Sequence, residues 1–283
     1  MKDEKFPIGV FDSGYGGLTV LSEFFKELPE YDFYYLGDNA RSPYGTRSYE
    51  TVYNYTLQAV KKLFSMGCQL VILACNTASA KALRSIQQKD LPKIDPSRRV
   101  LGVIRPSVEA IGSFTQTNHI GVLGTNGTIV SNSYPLEIKK IFPEIIVHQE
   151  ACPMWVPLVE NSEHQGPGAD YFIEKNINAL LSHEKQIDTI ILGCTHYPLL
   201  MEKIKKYVPG HISIISQGKI VAESLKDYLN RHPEMEKKCS KNGQHKFFTT
   251  ESPEVFTQRA KVFCEQLSSV EHVDLGTPDR IKH

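Results

Sequence analysis

Two stretches of this chain end a continuous apolar run in a cysteine followed by small polar residues: Val71-Ile72-Leu73-Ala74-Cys75-Asn76-Thr77 and Ile190-Ile191-Leu192-Gly193-Cys194-Thr195-His196. A run apolar at every position suits a strand buried on both faces, and the change to small polar residues marks its hand-over to a helix. In an open parallel sheet that edge is where ligands bind, and a helix N-terminus there draws a thiol toward its reactive thiolate. The opening segment Ile8-Gly9-Val10-Phe11-Asp12-Ser13-Gly14 is echoed by Ile120-Gly121-Val122-Leu123-Gly124-Thr125-Asn126. Two similar half-chains, each carrying one such cysteine, predict two related α/β units that face each other across one cleft.

The rest of the chain repeats the alternation. Apolar runs near residues 7–11, 33–36, 70–74, 100–104, 119–123, 145–148, 189–192 and 212–215 read as strands, and 246–249 reads as a further one. Amphipathic segments of helical length separate most of them. The fold class expected is α/β, with two doubly wound parallel-sheet domains related by pseudo-two-fold symmetry and the active site between them. Pro92 and Pro96 break the pattern once and Pro209-Gly210 breaks it again. Those breaks predict a discontinuous first domain of residues 1–98 plus 212–283, with residues 99–211 as the second.

Lysine plus arginine equals aspartate plus glutamate at 32 each over 283 residues. The balance argues against a nucleic-acid partner and an anionic membrane surface. A charged N-terminus without an apolar signal core, and no apolar run of membrane length, point to a cytoplasmic chain. The six cysteines are neither dense nor closely paired, so free thiols are expected and neither a disulfide scaffold nor a metal site. Cys68 and Cys239 read as structural, and Cys264 as core.

The residues around the strand ends narrow the chemistry. Asp12-Ser13-Gly14-Tyr15-Gly16-Gly17 could bring backbone N–H groups to an anion, yet its glycine spacing departs from G-x-G-x-x-G and its opening carboxylate would oppose a phosphate. Asp12 fits better as a partner for a substrate ammonium or as a proton acceptor. The polar loop Gly37 to Gly45 ends in Tyr44-Gly45, which is expected to touch ligand. Asn76, Thr77, Thr125, Thr128 and Thr195 are uncharged groups suited to holding a carboxylate. His196, two residues after Cys194, reads equally as structural or as a proton handler, and Glu160 as a surface charge or a site residue. Two thiols meeting from related domains suit a nearly symmetric reaction. Removing a proton from one face of a carbon acid and returning one to the other requires one thiolate and one thiol at the start, which is racemisation or epimerisation.

Taken together, Asp12-Ser13-Gly14-Tyr15-Gly16-Gly17, Pro43-Tyr44-Gly45, Ala74-Cys75-Asn76-Thr77-Ala78, Gly124-Thr125-Asn126-Gly127-Thr128, Val156-Pro157-Leu158-Val159-Glu160 and Gly193-Cys194-Thr195-His196-Tyr197-Pro198 resemble the glutamate racemases over nearly the full length. The resemblance implies a cytoplasmic, cofactor-independent enzyme that interconverts L- and D-glutamate for peptidoglycan synthesis and forms a homodimer. It implies Cys75 as the acid/base group for the D-isomer and Cys194 for the L-isomer, with Asp12, Glu160 and His196 as auxiliaries. Ser13, Tyr44, Gly45, Asn76, Thr77, Thr125, Thr128 and Thr195 would then hold the substrate, with Asp12 and His196 beside them.

Two departures accompany the resemblance. Ile104-Arg105-Pro106-Ser107 stands where the family often has a proline-glycine turn, and Cys152 precedes Pro153 near the Glu160 segment, where a packed cysteine is the plainer reading. The chain also lacks the N-terminal extension associated with nucleotide activation in some relatives, so no such requirement is expected. Competing readings are an aspartate or hydantoin racemase, a two-lobed amino-acid-binding protein, and a hydrolase using Cys194 with His196. The last two leave the second cysteine unexplained.

Overall fold

The computed structural model describes residues 5–276. Ten strands follow one another along it: β1 (Ile8–Asp12), β2 (Phe33–Gly37), β3 (Leu70–Leu73), β4 (Arg99–Gly102), β5 (His119–Gly124), β6 (Ile146–Ala151), β7 (Thr189–Gly193), β8 (Ser213–Ile215), β9 (His245–Thr249) and β10 (Val270–His272). They form two sheets, in spatial order β10-β9-β2-β1-β3-β4 and β6-β5-β7-β8, and every pairing is parallel. Helices cross between successive strands, as parallel pairing demands. The order β2-β1-β3-β4 recurs as β6-β5-β7-β8, so the short sequence echo of β1 in β5 extends to the whole plan of the two units. Each central strand is buried along its length, as its unbroken apolar run requires.

The sheets correct both expected domain boundaries. The break placed between residues 98 and 99 falls before β4, which pairs with β3 in the first sheet, and the break between 211 and 212 falls before β8, which pairs with β7 in the second. Pro92 opens the short helix Leu91–Ile94 and Pro209 follows the helix Met201–Tyr207, and in each case one more strand hydrogen-bonds back onto its own sheet before the chain crosses over. The crossovers therefore run through the helix Ile104–Ala110 and into the helix Gln217–Arg231. The latter lies against the helix Gly17–Glu27 of the first unit.

A carboxylate fastens a loop to the start of a central strand in each unit. In the first, Asp32 accepts the backbone N–H groups of Asn242 (2.9 Å) and Gln244 (2.8 Å) and the Asn242 amide at 2.7 Å, which joins the approach to β9 to that of β2. In the second, Asp188 accepts the N–H groups of Gln116 (2.6 Å) and Thr117 (2.8 Å) and the hydroxyls of Thr115 (2.7 Å) and Thr189 (2.9 Å). Burial alone would raise the Asp188 carboxyl, but these bonds outweigh it and hold the group at about 2. A depressed carboxyl stabilises the fold above its unfolded value and loses that contribution as the pH falls through its folded value. Asp188→Asn is expected to lower stability at pH 7 by about 1–3 kcal/mol in urea denaturation. The difference from wild type should shrink below about pH 4, and a constant difference down to the acid transition would refute the assignment.

Candidate active site

Cys75 follows β3 and Cys194 follows β7, each at the carboxyl end of the third strand of its sheet and beside the first strand, where the strand order reverses. Open parallel sheets bind ligands at this point. Both cysteines are buried, and both line one cavity of about 90 Å³. Ser13, Tyr44, Gly45, Asn76, Thr77, Thr125, Glu160, Thr195 and His196 line it with them, and Ser42, Pro43, Cys152, Pro153, Val156 and Pro157 complete the wall. Asp12 and Thr128 stand one layer behind. A larger groove of about 640 Å³ carries neither cysteine.

The two thiols sit in unlike surroundings. Cys75 caps the helix Asn76–Lys81, its sulfur 3.4 Å from the Ala78 N–H and 3.3 Å from the Ser13 hydroxyl. The expectation that a helix N-terminus would favour thiolate here is overturned. Burial first and the Asp12 charge second push the Cys75 thiol up to about 12, more than the two hydrogen bonds and one short helix recover. Cys194 is followed by the 3-10 helix Tyr197–Leu200, which runs on into the helix Met201–Tyr207. Its sulfur lies 3.9 Å from His196 Nδ1, and His196 Nε2 lies 3.0 Å from Glu160 Oε1. Burial would lower the His196 imidazole, but its bonds to Cys194 and Glu160 prevail and raise it to about 10. The His196 ring thus lies between the Cys194 sulfur on one side and the Glu160 carboxylate on the other.

Asp12 accepts the Gly14 N–H at 2.8 Å through one carboxylate oxygen, and the other is buried without a partner. Burial raises its pKa against the opposing pull of His196 and the loop N–H groups. The loop thus turns its Gly14 N–H onto its own carboxylate. Across the cleft, Thr77 Oγ1 lies 2.9 Å from Thr125 Oγ1 and 3.4 Å from Thr128 Oγ1, with 3.1 Å between the last two. The Gly127 N–H donates to the Gly45 carbonyl at 2.7 Å, joining the two halves at the cavity mouth. Tyr44 donates its hydroxyl to Asp38, which is also paired with Arg41. Asn76 is turned away from a purely ligand-binding role, since both ends of its amide hydrogen-bond to protein. Among the described residues no group of three or more His, Cys, Asp or Glu is placed to hold a metal ion.

The profile of the Asp/Glu/Hydantoin racemase family matches residues 20–225. The chain belongs to this family. It is 39% identical to the glutamate racemase of Streptococcus suis (strain 05ZYH33) over 270 residues, 95% of this chain and 98% of the relative. Its structure is similar to that of glutamate racemase isoform RacE1 from Bacillus anthracis, with 37% identity and a TM-score of 0.86, covering 95% of this chain and 97% of that one. The glutamate racemase of Francisella tularensis, in complex with D-glutamate, has 32% identity and a TM-score of 0.85, covering 96% and 98%.

In this member of the racemase family Gly16 serves close approach between the halves. A Cβ on Gly16 would land on Thr195 Oγ1 and His196 Nδ1. Thr19 fastens the same contact by donating its hydroxyl to the Thr195 carbonyl at 3.0 Å. Gln217 and Tyr134, which hold Asn76, went unnoticed in the sequence, where neither neighbours a strand-end cysteine or a recognisable motif. Cys152 is both packed and on the cavity wall, and burial keeps its thiol well above the usual range. Gly16→Ala is expected to displace His196 and reduce turnover about 10²-fold while the far-UV spectrum is retained. Wild-type turnover in this variant would show that the close approach is dispensable.

Proposed function

We propose that this chain interconverts L- and D-glutamate without a cofactor, Cys194 and Cys75 acting as the acid/base pair on opposite faces of the α-carbon. The observation that carries the reading is two buried thiols, one from each half, on the wall of one cavity: Cys75 beside the Ser13 hydroxyl and Cys194 beside the His196 ring. For L-glutamate, the Cys194 thiolate takes the α-proton and the Cys75 thiol returns one to the opposite face. The C–H bond broken on one side is replaced on the other, and the reverse reaction exchanges the roles. The Ser13 hydroxyl, with the Asp12 carboxylate one layer behind it, suits the substrate ammonium, and the hydroxyls of Thr77, Thr125 and Thr195 with the loop Tyr44-Gly45 suit its carboxylates. Carbanion-like charge would be stabilised by these fixed donors in a dry, closed cleft.

Relatives named glutamate racemase, one of them in complex with D-glutamate, support glutamate over aspartate as the substrate. The reading includes a cytoplasmic enzyme that forms a homodimer and supplies D-glutamate for peptidoglycan. Among the described residues no helix is long and apolar enough to cross a membrane.

L-Glutamate in deuterated buffer should yield D-glutamate carrying α-deuterium by proton NMR with chiral analysis. Cys75→Ala and Cys194→Ala should each lower racemisation about 10²–10⁴-fold. Folded protein that binds glutamate without exchange would favour the binding-protein reading, and full activity in either variant would refute the two-thiol mechanism. The raised His196 value gives a pH test. The imidazolium persists below about 10 and is lost above it, so kcat/KM should fall as the pH rises through that value, and His196→Asn should remove this limb. An alkaline limb unchanged in His196→Asn would assign it to another group.

A further inference from the structure

Behind the cavity, four side chains from both halves share one buried hydrogen-bond network. Asn76 donates its amide to Gln217 Oε1 at 2.7 Å, Tyr134 donates its hydroxyl to Asn76 Oδ1 at 2.8 Å, and Gln217 donates through Nε2 to the Tyr134 oxygen at 2.7 Å. These three bonds close a ring. Gln217 Nε2 also donates to Ser107 Oγ at 2.7 Å, and Ser107 donates onward to the Val103 carbonyl at 2.9 Å. Asn76, Ser107, Tyr134 and Gln217 are all buried. A closed ring of directional bonds in a low-dielectric interior admits few geometries, because shifting one member leaves the others without partners.

The ring touches both strand ends that carry the chemistry. Asn76 is the residue after Cys75 and opens its helix. The Tyr134 ring packs against Gly193, the residue before Cys194, lying 3.2 Å from where a Cβ would stand there. The other two members occupy the two passages of the chain between sheets: Ser107 in the helix that follows β4, and Gln217 at the start of the helix that follows β8. A displacement of one half against the other therefore either pivots on this ring or breaks it.

We propose that Gln217 is a positioning residue that, through Asn76 and Tyr134, sets the spacing of the two thiols across the cleft. The role rests on the two-thiol reading given above. Gln217 lies outside the cavity lining. It acts by holding the ends of β3 and β7 at the separation in which one sulfur faces each side of the α-carbon. A small error in that separation lowers the rate of proton transfer and leaves the carboxylate and ammonium contacts in place.

The test compares Gln217→Met, Tyr134→Phe and the double variant, using glutamate of both hands with hydrogen or deuterium at the α-carbon. Each single variant should lower kcat about 10-fold or more in both directions, with KM within about threefold of wild type. The deuterium isotope effect on kcat should rise, since C–H cleavage becomes slower relative to the other steps. The double variant should lose about as much as either single one, because one broken ring cannot be broken again. A fall in kcat with an unchanged isotope effect is what partial unfolding would give, and it would overturn the proposal. Additive losses, or a change confined to KM, would overturn it equally. Wild-type protein inert toward both glutamates would sink the underlying reading instead, whereas active wild type with variants that match it would remove the positioning role alone.

Discussion

Desolvation of ionisable groups governs this cleft. A thiol enclosed between two parallel sheets resists losing its proton, and with the Cys75 thiol raised to about 12 its thiolate costs on the order of 7 kcal/mol to form at pH 7. Such a group is useful as an acid and poor as a resting base. Across the cleft His196 stands beside the Cys194 sulfur, with Glu160 securing the ring from behind and Gly16 leaving room for it in front. Much of the surrounding detail follows from this one constraint. The bare glycine loop, the inward Asp12 and the paired Glu160 each regulate charge in a place that water does not screen.

The parallel topology explains why such an arrangement can be assembled twice. Repeating the strand order β2-β1-β3-β4 as β6-β5-β7-β8 brings an equivalent strand end, the third in each unit, to the shared cleft from each side. The halves then diverge in what surrounds the sulfur. One has a helix cap, a serine and a buried carboxylate, and the other an imidazole and a second carboxylate. The site is symmetric in its plan and asymmetric in its charges.

Much of this was legible locally. Apolar runs announced the first eight strands, and Phe247-Phe248 announced β9; in β1, β3 and β7 burial on both faces writes itself into every residue, whereas the edge strands β4, β6 and β8 carry only a shorter run. β10 escaped notice, since Val270-Glu271-His272 is a short edge strand with one apolar side chain. Both cysteines, and the polar residues after them, were visible for the same local reason. The crossover positions were not, because a proline marks a helix boundary and is silent about which sheet the next strand joins. Nor was the elevation of Cys75. A helix cap can be read from neighbours in sequence, whereas the burial that defeats it comes from segments far along the chain. Gln217 is the extreme case: 141 residues separate it from Asn76, and its meaning lies entirely in that contact.

The unequal surroundings of the sulfurs also bear on how the protein would meet an electrophile. Alkylation proceeds through the thiolate, so a small haloacetamide entering the cavity would find an almost inert thiol at Cys75 at neutral pH. Labelling of that sulfur would quicken as the pH rises, and its rate would report on the burial that holds the proton in place.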